Sequence, residues 1–340
     1  MDKIRIALIG AGKIAESAHV PSILKNEHAE LVVIVDRSSG RSKDLINTFR
    51  LKTAHVEDIS QYKGKVDAAI ICTPNDTHVD ICLQCFLLGI HVLVEKPLSN
   101  TYKDALLIEK KANEANCIVM VGYCTRFWPS VQKAKHLLNS KHLGNITKFV
   151  FQFGSAGGWA PVSNYILSKE KSGGGAFIIN GSHYLDRMID FFGIPSSFTY
   201  LDDAIKGVEA NAVAEFIYNE GEQNFKGIIR ASKTVNLKSG CFIECENGTI
   251  IHKDWEEPVL SIKYNLGNEV VKLSLDSDES FLRKRSDMYL LQLDELIQKI
   301  RNGNKDTDFS SFKDSITNVK MTESLYNIKK PLKCDWYYGE

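Results

Sequence analysis

In the first third of the chain, short apolar runs of strand length alternate with mixed polar and apolar segments of helix length. The predicted strands are 4–9, 31–35, Asp67 to Cys72, His91 to Val94 and Cys117 to Val121. Helices are predicted between them near 13–25, 41–50, 76–88 and 101–115. Strands that alternate with helices are typical of a doubly wound parallel sheet covered on both faces, which is an α/β architecture.

The pattern changes after about residue 123, where strand-like runs begin to follow one another. A helix is predicted from Pro129 to Asn139, and others near 176–192, 286–301 and 311–329. The predicted strands are 146–153, 212–218, 224–231, 241–246, 249–252, 259–265 and 269–275, with hairpin signals at Asn247-Gly248 and Leu266-Gly267-Asn268. This part therefore predicts an α+β domain with a large, mainly antiparallel sheet.

A glycine turn, Gly10-Ala11-Gly12-Lys13-Ile14-Ala15, follows the first strand directly, and the second strand ends on Asp36. Between a strand and a helix, this is the dinucleotide-binding fingerprint, with alanine at the third glycine position. The helix start offers free N–H groups to a pyrophosphate, and Asp36 can accept hydrogen bonds from ribose hydroxyls. The cofactor contacts predicted here are Gly10, Gly12, Lys13, Ile14, Asp36 and Arg37.

The identity of the dinucleotide depends on the residues around Asp36. Its carboxylate favours NAD, because it repels the 2′-phosphate of NADP. The neighbouring Arg37, Ser38, Ser39 and Arg41 could hold that phosphate if Asp36 swings away. NAD is therefore the favoured cofactor, and NADP is the open alternative.

Two further loops follow strands whose carboxyl ends should face the ligand. The first is Thr73-Pro74-Asn75 through His78, and the second is Glu95-Lys96-Pro97. Both are predicted to touch the cofactor, although the first could be only a capped turn and the second only an ion pair with neighbouring loops. Lys96 in that position could stabilise an alkoxide or shuttle a proton.

The glycine turn with Asp36 and these two loops resemble the Gfo/Idh/MocA family of NAD(P)-dependent oxidoreductases, which act mostly on sugars, sugar derivatives and cyclitols. The likeness covers nearly the whole chain through Gly122-Tyr123, Arg126-Phe127, Gly173-Gly174-Gly175 to Gly181, His183 and Asp186, Leu293 to Gly303, and the last helix to Pro331. It implies a dinucleotide-binding Rossmann domain over 1–123. It also implies a substrate-binding and oligomerisation domain over 124–340, whose last helix packs back toward the first domain.

The resemblance also implies roles for individual residues. Lys96 corresponds to the lysine that touches nicotinamide ribose and substrate, and His183 to the histidine that acts as general base. Tyr123 and Arg126 correspond to positions that border cofactor and substrate, and the peptide before Pro97 is often cis in such proteins.

The chain departs from the family pattern four residues before His183. The family commonly has an aspartate there, whereas this chain has Ile179, followed by Asn180. Asn180 either binds a sugar hydroxyl or faces elsewhere on the helix. Trp159 lies in a loop that either covers a sugar ring or is a mobile surface loop, and the three glycines either let substrate approach or form a flexible loop.

Composition excludes some other classes of protein. The formal net charge is zero and the pI is about 7.1, which gives no electrostatic sign of a nucleic-acid partner. No apolar run reaches membrane-spanning length, and no leader is expected because a strand begins by residue 4. The eight cysteines are expected to be reduced in a cytoplasmic protein, and no metal site is predicted.

The predicted activity is hydride transfer between C4 of nicotinamide and a ring carbon that bears a secondary hydroxyl. His183 would remove the hydroxyl proton, and Lys96 would stabilise the oxygen. The alternatives are a catalytically silent dinucleotide or sugar sensor, and an enzyme that recycles bound NAD for elimination or epimerisation. A homodimer or homotetramer formed through the large sheet is also expected.

Overall fold

The computed structural model describes residues 2–157, 164–221, 224–254, 259–266, 270–274, 285–303 and 311–333. The chain forms two compact units. Unit 1 contains Met1–Cys124 and Arg283–Val319, and unit 2 contains Thr125–Leu282 and Lys320–Glu340. Each unit has its own sheet and its own buried apolar core.

The sheet of unit 1 is parallel throughout. Its strands are β1 (Ile4–Ile9), β2 (Ala29–Val35), β3 (Ala54–Val56), β4 (Ala68–Ile71), β5 (His91–Val94) and β6 (Val119–Val121). They lie in the order β3-β2-β1-β4-β5-β6, so the strand order reverses between β1 and β4. In doubly wound sheets this switch point is where ligands bind, outside the carboxyl ends of the strands. The predicted doubly wound fold is confirmed.

All the predicted helices are present, and their ends differ by at most two residues from the prediction when a helix and the π-helical segment before it are counted together. The short helix Lys169–Ser172 was not predicted. The helices are α1 (Val20–Lys25), α2 (Ser39–Phe49), α3 (His78–Leu87), α4 (Tyr102–Glu114), α5 (Pro129–Asn139), α6 (Lys169–Ser172), α7 (Ser182–Phe192), α8 (Arg285–Asn302) and α9 (Phe312–Asn327). Two of them continue π-helical segments, Ala15–His19 before α1 and Phe177–Gly181 before α7. Both π-helical segments precede or contain candidate site residues, where such segments are frequent.

The sheet of unit 2 has mixed strand directions. Its strands are β7 (Ile146–Gly154), β8 (Ser197–Asp202), β9 (Asn211–Tyr218), β10 (Phe225–Ser232), β11 (Gly240–Cys245), β12 (Gly248–His252), β13 (Val259–Tyr264), β14 (Val270–Ser274) and β15 (Lys330–Pro331). Their order is β14-β13-β12-β11-β7-β10-β9-β8-β15. The pairs β7/β10 and β8/β15 are parallel and the other pairs are antiparallel, which confirms a mainly antiparallel sheet.

Aromatic side chains dominate the core of unit 2. Phe149 packs against Phe151 with ring centroids 4.8 Å apart, and Tyr218 stacks on Phe225 at 4.5 Å. Gly227 lies beside Phe149, and a Cβ there would come within 1.9 Å of the ring. Glycine is therefore required in β10 so that the aromatic layer can lie flat against the sheet.

One predicted feature lies outside the described residues, and some of the observed strands were not predicted. The second hairpin signal includes Gly267 and Asn268, which are outside them. Strands β3, β8 and β15 were not predicted, because none of them is a run of consecutive buried apolar residues. Within the residues that the structure describes, no helix combines the length and apolarity needed to cross a bilayer.

Candidate functional site

The glycine turn after β1 packs tightly against the end of β4. Gly10 has a φ of +95°, and a Cβ there would lie 2.8 Å from the carbonyl carbon and oxygen of Cys72. Only glycine fits both the conformation and the space. At Gly12 the nearest atom to such a Cβ would be 3.9 Å away, so the described atoms leave its backbone accessible to a ligand. This cradle fits a pyrophosphate at the start of the helical segment.

Asp36 is fixed at the end of β2 by two backbone donors. Its Oδ2 accepts the N–H of Ala11 at 2.7 Å, and its Oδ1 accepts the N–H of Ser38 at 2.6 Å. Each carboxylate oxygen retains a second acceptor site, so the side chain can still bind ribose hydroxyls. The carboxylate is thereby held beside the glycine turn, where the fingerprint predicts it.

Other residues predicted in this turn lie nearer to solvent. Lys13 has a side chain 65% exposed and pairs with Glu16 at 3.0 Å. Arg37 is exposed, and Ile14 is half-buried. All three are accessible to a cofactor, and their contacts with it stay predictions.

His78 is buried and joins the two predicted loops of unit 1. Its Nδ1 lies 2.9 Å from the carbonyl oxygen of Pro97, and its Nε2 lies 3.1 Å from that of Thr73. Burial lowers the pKa of His78, and a neutral imidazole can donate only one of these bonds. The structure thus gives His78 a bridging role, whereas Thr73 is half-buried and Pro74 is exposed. Asn75 is also buried.

Glu95 forms a buried pair with His19, which the sequence did not indicate. The Nε2 of His19 lies 2.8 Å from Oε1 of Glu95, and the two side chains are 3% and 12% exposed. Oε2 of Glu95 accepts the backbone N–H of Lys96 at 3.2 Å. A Cβ at Gly122 would lie 2.9 Å from the same oxygen, so the carboxylate packs directly on that backbone.

The charges of this pair follow from its partners. Burial alone would lower the pKa of His19, but contacts with Cys72 and Glu95 raise it to about 10. Burial raises the pKa of the Cys72 thiol, so at neutral pH the charge facing His19 comes from Glu95. Burial would raise the pKa of Glu95, yet His19 and Lys96 lower it below its ordinary value. The pair is therefore an imidazolium and a carboxylate.

The remaining predicted residues of unit 1 differ in accessibility. Lys96 is half-buried and its peptide bond to Pro97 is cis. Tyr123 is only 2% exposed and belongs to the apolar core of unit 1. The ring packs inside this core, and the predicted contact of Tyr123 with substrate stays a prediction.

In unit 2, His183 is the second residue of α7, directly after the π-helical segment. It is half-buried, as is Asn180 three residues earlier. Residues spaced by three are neighbours on a helix surface. The Oδ1 of Asn180 has no hydrogen-bond partner among the described residues. Ile179 and Asn180 both lie about one turn before His183, and of the two only Asn180 is polar.

The glycines before this helix have a packing role that the sequence did not reveal. A Cβ at Gly174 would lie 2.1 Å from the hydroxyl of Tyr326, and one at Gly175 would lie 2.0 Å from the carbonyl oxygen of Glu209. The buried carboxylate of Glu209 accepts the N–H of Gly175 at 2.8 Å and of Phe177 at 2.9 Å. It also accepts the Tyr326 hydroxyl at 2.8 Å. The glycines therefore let the chain approach an anchor for the π-helical segment.

Arg126 fixes the middle of α7. Its Nε and Nη2 each donate to one carboxylate oxygen of Asp186 at 2.7 Å, and its Nη1 lies 3.2 Å from Asp190. The guanidinium is 4% exposed and the Asp186 side chain is fully buried. The bidentate pair holds the helix one turn after His183. The predicted contacts of Arg126 with cofactor and substrate stay predictions.

A second buried cluster lies on the other side of α7. Nη1 of Arg187 donates to Sγ of Cys241 at 2.8 Å, and Tyr184 donates to Asp254. Burial raises the pKa of Cys241 to about 12, so the thiol is neutral.

Among the described residues no group of three or more His, Cys, Asp or Glu side chains is arranged to hold a metal ion. Trp159 lies outside the described residues.

The first unit thus has the sheet order, glycine cradle and fixed acidic residue of a dinucleotide-binding Rossmann domain. The family model for the oxidoreductase family with an NAD-binding Rossmann fold matches residues 4–123. The GFO/IDH/MocA C-terminal domain model matches residues 131–251. The chain belongs to the Gfo/Idh/MocA family.

Individual relatives are distant. The chain is 34% identical over 131 residues to the 4-carboxy-2-hydroxymuconate-6-semialdehyde dehydrogenase of Sphingobium sp.. The aligned residues are 38% of this chain and 41% of the relative. It is 27% identical over 215 residues to the D-glucoside 3-dehydrogenase of Escherichia coli, and this alignment spans 62% of the chain and 57% of the relative. The match thus spans less than two thirds of either relative. A solved levoglucosan dehydrogenase in complex with NADH and levoglucosan superposes with a TM-score of 0.85 at 16% identity, over 96% of this chain and 97% of that one.

Proposed function

We propose that this protein is an NAD(P)-dependent oxidoreductase that moves a hydride between nicotinamide and a secondary hydroxyl or ketone of a sugar, nucleotide sugar or cyclitol. The observation that carries the proposal is the cradle of Gly10 and Gly12 with Asp36 fixed beside it by the N–H groups of Ala11 and Ser38. Residues 1–123 would bind the cofactor, and residues 124–340 would bind substrate and assemble the oligomer.

The substrate class is supported by the relatives. One matched protein is a D-glucoside 3-dehydrogenase, and the solved structure contains levoglucosan, a sugar derivative. The matched semialdehyde dehydrogenase shows that the family also includes proteins named for other carbonyl compounds. A carbohydrate or cyclitol is therefore the first class to test.

Two side chains would handle the proton of the reacting hydroxyl. His183 would accept it, and the ammonium group of Lys96 would stabilise the negative oxygen. When bound, nicotinamide supplies the hydride acceptor or donor. Asn180 would bind a neighbouring substrate hydroxyl through an amide that can donate and accept hydrogen bonds.

The preferred cofactor would be NAD. The carboxylate of Asp36 would repel a 2′-phosphate, and its two hydrogen bonds hold it at the end of β2. NADP is the alternative cofactor, because the exposed Arg37 could bind its 2′-phosphate. Replacing Asp36 with Ala should raise the affinity for NADPH relative to NADH.

One observation favours a second candidate function. Ile179 replaces the aspartate that is usual in this family, so His183 lacks a carboxylate at that position. A protein that binds cofactor without turnover, or one that recycles bound NAD during elimination or epimerisation, would tolerate this replacement. Net production of NADH distinguishes simple dehydrogenation from both.

The test has two stages. Titration with NADH and NADPH, followed by fluorescence, gives the cofactor affinities of the purified protein. Pools of sugars, nucleotide sugars and inositols are then supplied with NAD or NADP, and reduced nicotinamide is measured by absorbance. Lys96→Ala and His183→Ala should each lower turnover by about 10²- to 10⁴-fold.

Matched controls are the exposed Lys103 and His28, each replaced with Ala, which should retain activity. Cofactor binding without turnover in any pool would favour the silent sensor or the recycling enzyme. Absence of binding to either reduced cofactor would contradict the proposal itself.

The outer face of the unit 2 sheet supports a homo-oligomer. Ile228, Val150, Phe242 and Ile251 form one row across the adjacent strands β10, β7, β11 and β12. They are half-buried and alternate with residues of the inner core. The next row carries both charges, with Lys148 and Glu244 3.7 Å apart. We propose that a second copy of the chain covers this apolar row.

Replacing Phe242 with Glu should convert a homodimer or homotetramer into smaller species in light scattering. Identical mass for the variant and the native protein would contradict assembly through this face. A cytoplasmic location also remains a proposal, supported by seven described cysteines that are all buried free thiols.

A further inference from the structure

We propose that Glu209 is a positioning residue for Asn180 and His183, because it supplies the N-terminal cap that the helix carrying them lacks. That helix consists of the π-helical segment Phe177–Gly181 and α7, and it lies in unit 2 together with Glu209. The inference rests on the proposed function only for the chemical roles of Asn180 and His183.

No residue at the start of this helix caps it with its own side chain. Neither Ala176, which precedes the π-helical segment, nor Gly181, which precedes α7, makes a side-chain cap hydrogen bond. The first N–H groups of a helix have no partner within it, so when buried they need acceptors from elsewhere.

Glu209 accepts three successive N–H groups at this point. Its Oε2 accepts that of Gly175 at 2.8 Å, and its Oε1 accepts that of Phe177 at 2.9 Å. Its main-chain carbonyl oxygen accepts the N–H between them, from Ala176, at 2.9 Å. A single residue, distant along the chain, therefore replaces the missing local cap.

The backbone of Phe177 connects this cap to the candidate site. Its N–H is held by Glu209, and its carbonyl oxygen accepts the N–H of Ser182. Asn180 lies between these two contacts, and His183 follows Ser182 directly. The position of the cap therefore determines where both proposed site residues begin.

The ring of Phe177 is linked to Glu209 as well, through two tyrosines. It meets Tyr200 edge-on at 5.3 Å, and Tyr200 meets Tyr326 edge-on at 5.3 Å. Tyr326, on α9, donates its hydroxyl to Oε1 of Glu209 at 2.8 Å. The ring of Phe177 also lies against Gly181, where a Cβ would be 2.9 Å from a ring carbon.

The carboxylate acts here through hydrogen bonds. Among the described residues its hydrogen-bond partners are the two backbone N–H groups and the hydroxyl of Tyr326, none of them a cation. Burial raises the pKa of Glu209, and these hydrogen bonds oppose that shift. Both oxygens are acceptors, whereas an amide offers one acceptor oxygen. Glu209→Gln therefore keeps the size of the side chain but leaves a donor without its acceptor.

The alternative is that Glu209 only stabilises the fold of unit 2, so that a weaker cap leaves the surroundings of His183 unchanged in the folded protein. Two measurements separate these cases. Amide hydrogen exchange over residues 175–183 reports on the cap. Modification of the half-buried His183 by diethyl pyrocarbonate, followed by peptide mass spectrometry and normalised to the exposed His28, reports on the imidazole.

Glu209→Gln and Tyr326→Phe are the test variants. Tyr326→Phe is the milder change, because it removes one hydrogen bond of the carboxylate and keeps the ring. Glu246→Gln and Tyr218→Phe are the matched controls in unit 2. Glu246 accepts a backbone N–H with an exposed carboxylate, and Tyr218 donates to a backbone carbonyl oxygen.

In Glu209→Gln we expect amide exchange over residues 177–183 to rise by about tenfold or more, because a buried donor loses its acceptor. Modification of His183 should become about threefold to tenfold faster, because an opened helix start exposes the imidazole. Tyr326→Phe should change both rates in the same direction by about threefold, and the controls should stay within about twofold of the native protein. With a substrate in hand, kcat of Glu209→Gln should fall by about tenfold or more while the dissociation constant of NADH is unchanged.

An unchanged rate of His183 modification in folded Glu209→Gln and in Tyr326→Phe would overturn the proposal, even if amide exchange were faster. An equal change in the two controls would overturn it as well. Tyr326→Phe is decisive if Glu209→Gln does not fold. Exchange and modification need neither cofactor nor substrate, so their outcome is independent of whether dehydrogenase activity is found.

Discussion

The two proposed catalytic side chains stand on supports of different electrostatic kinds. In unit 1, a histidine–glutamate pair lies one peptide away from Lys96. In unit 2, an arginine–aspartate pair lies one helical turn after His183. Arginine does not lose its proton in the accessible pH range, whereas histidine does. The support in unit 2 therefore fixes geometry at any working pH, while the support in unit 1 can change charge.

The largest expected effect comes from breaking the unit 2 support. Arg126→Met leaves the fully buried carboxylate of Asp186 without its bidentate partner. Removing one member of a buried ion pair costs about 3–5 kcal/mol. We expect a loss of that size in the free energy of unfolding, measured by urea denaturation with a probe in unit 2.

The double variant Arg126→Met with Asp186→Leu serves as its control. Replacing both charges with apolar groups removes the uncompensated carboxylate, so most of the stability should return. If the single variant lost less than about 1 kcal/mol, the pair would not be a structural support of α7.

The next effect tests the anchor at the start of the π-helical segment. Gly175→Ala places a Cβ 2.0 Å from the carbonyl oxygen of Glu209, so the backbone must shift. We expect a loss of about 3 kcal/mol by the same urea measurement, because overpacking a tight site typically costs 1–3. Gly40→Ala in α2 has its nearest contact at 3.8 Å and should not destabilise the protein. Equal stability of the two variants would show that the approach at Gly175 is not required.

The sequence predicted those features whose signals are local. The glycine turn, Asp36 and the alternating strands and helices are each contained in a few consecutive residues, and the parallel sheet appeared as predicted. The short strand β3 escaped because three partly exposed residues give no apolar run. Local sequence therefore indicated the fold and the turn that would hold a dinucleotide.

The supports of the site could not be predicted in this way, because their partners are far apart along the chain. His19 and Glu95 are separated by 76 residues, and Arg126 and Asp186 by 60. The three glycines resembled a loop that is either open to substrate or flexible, whereas Gly174 and Gly175 are explained by Tyr326 and Glu209, which the fold brings close to them. The spacing between motifs does not indicate which distant residues the fold pairs.

The third prediction separates the two supports by pH. The raised pKa of His19, about 10, contributes stability that is fully present below its ordinary value of 6.5 and is lost as pH rises through 10. The lowered pKa of Glu95 contributes stability present above 4.5 and lost as pH falls. The stability gap between the native protein and His19→Gln, about 2 kcal/mol, should be widest between these ordinary values and should close as pH rises through about 10.

Thermal unfolding across pH measures this gap. The corresponding gap for Arg126→Met should persist above pH 7, because the guanidinium stays charged. A gap for His19→Gln that is constant from pH 5 to 10 would mean that the imidazole acts by packing alone.

The smallest effect on stability is expected at Lys13. This residue sharpens the comparison, because its replacement should weaken cofactor binding while leaving the stability of the fold nearly unchanged. Its ion pair with Glu16 is exposed, with side chains 65% and 42% accessible, so Lys13→Gln should change the free energy of unfolding by at most about 0.5 kcal/mol. As a predicted neighbour of the pyrophosphate, the same residue should matter more for NADH, whose dissociation constant we expect to rise about threefold to tenfold at low salt. Fluorescence titration measures that constant, and the loss should shrink as salt is added, because screening weakens exposed charge contacts. An unchanged dissociation constant would leave Lys13 as a surface residue and confine cofactor binding to the turn backbone and Asp36.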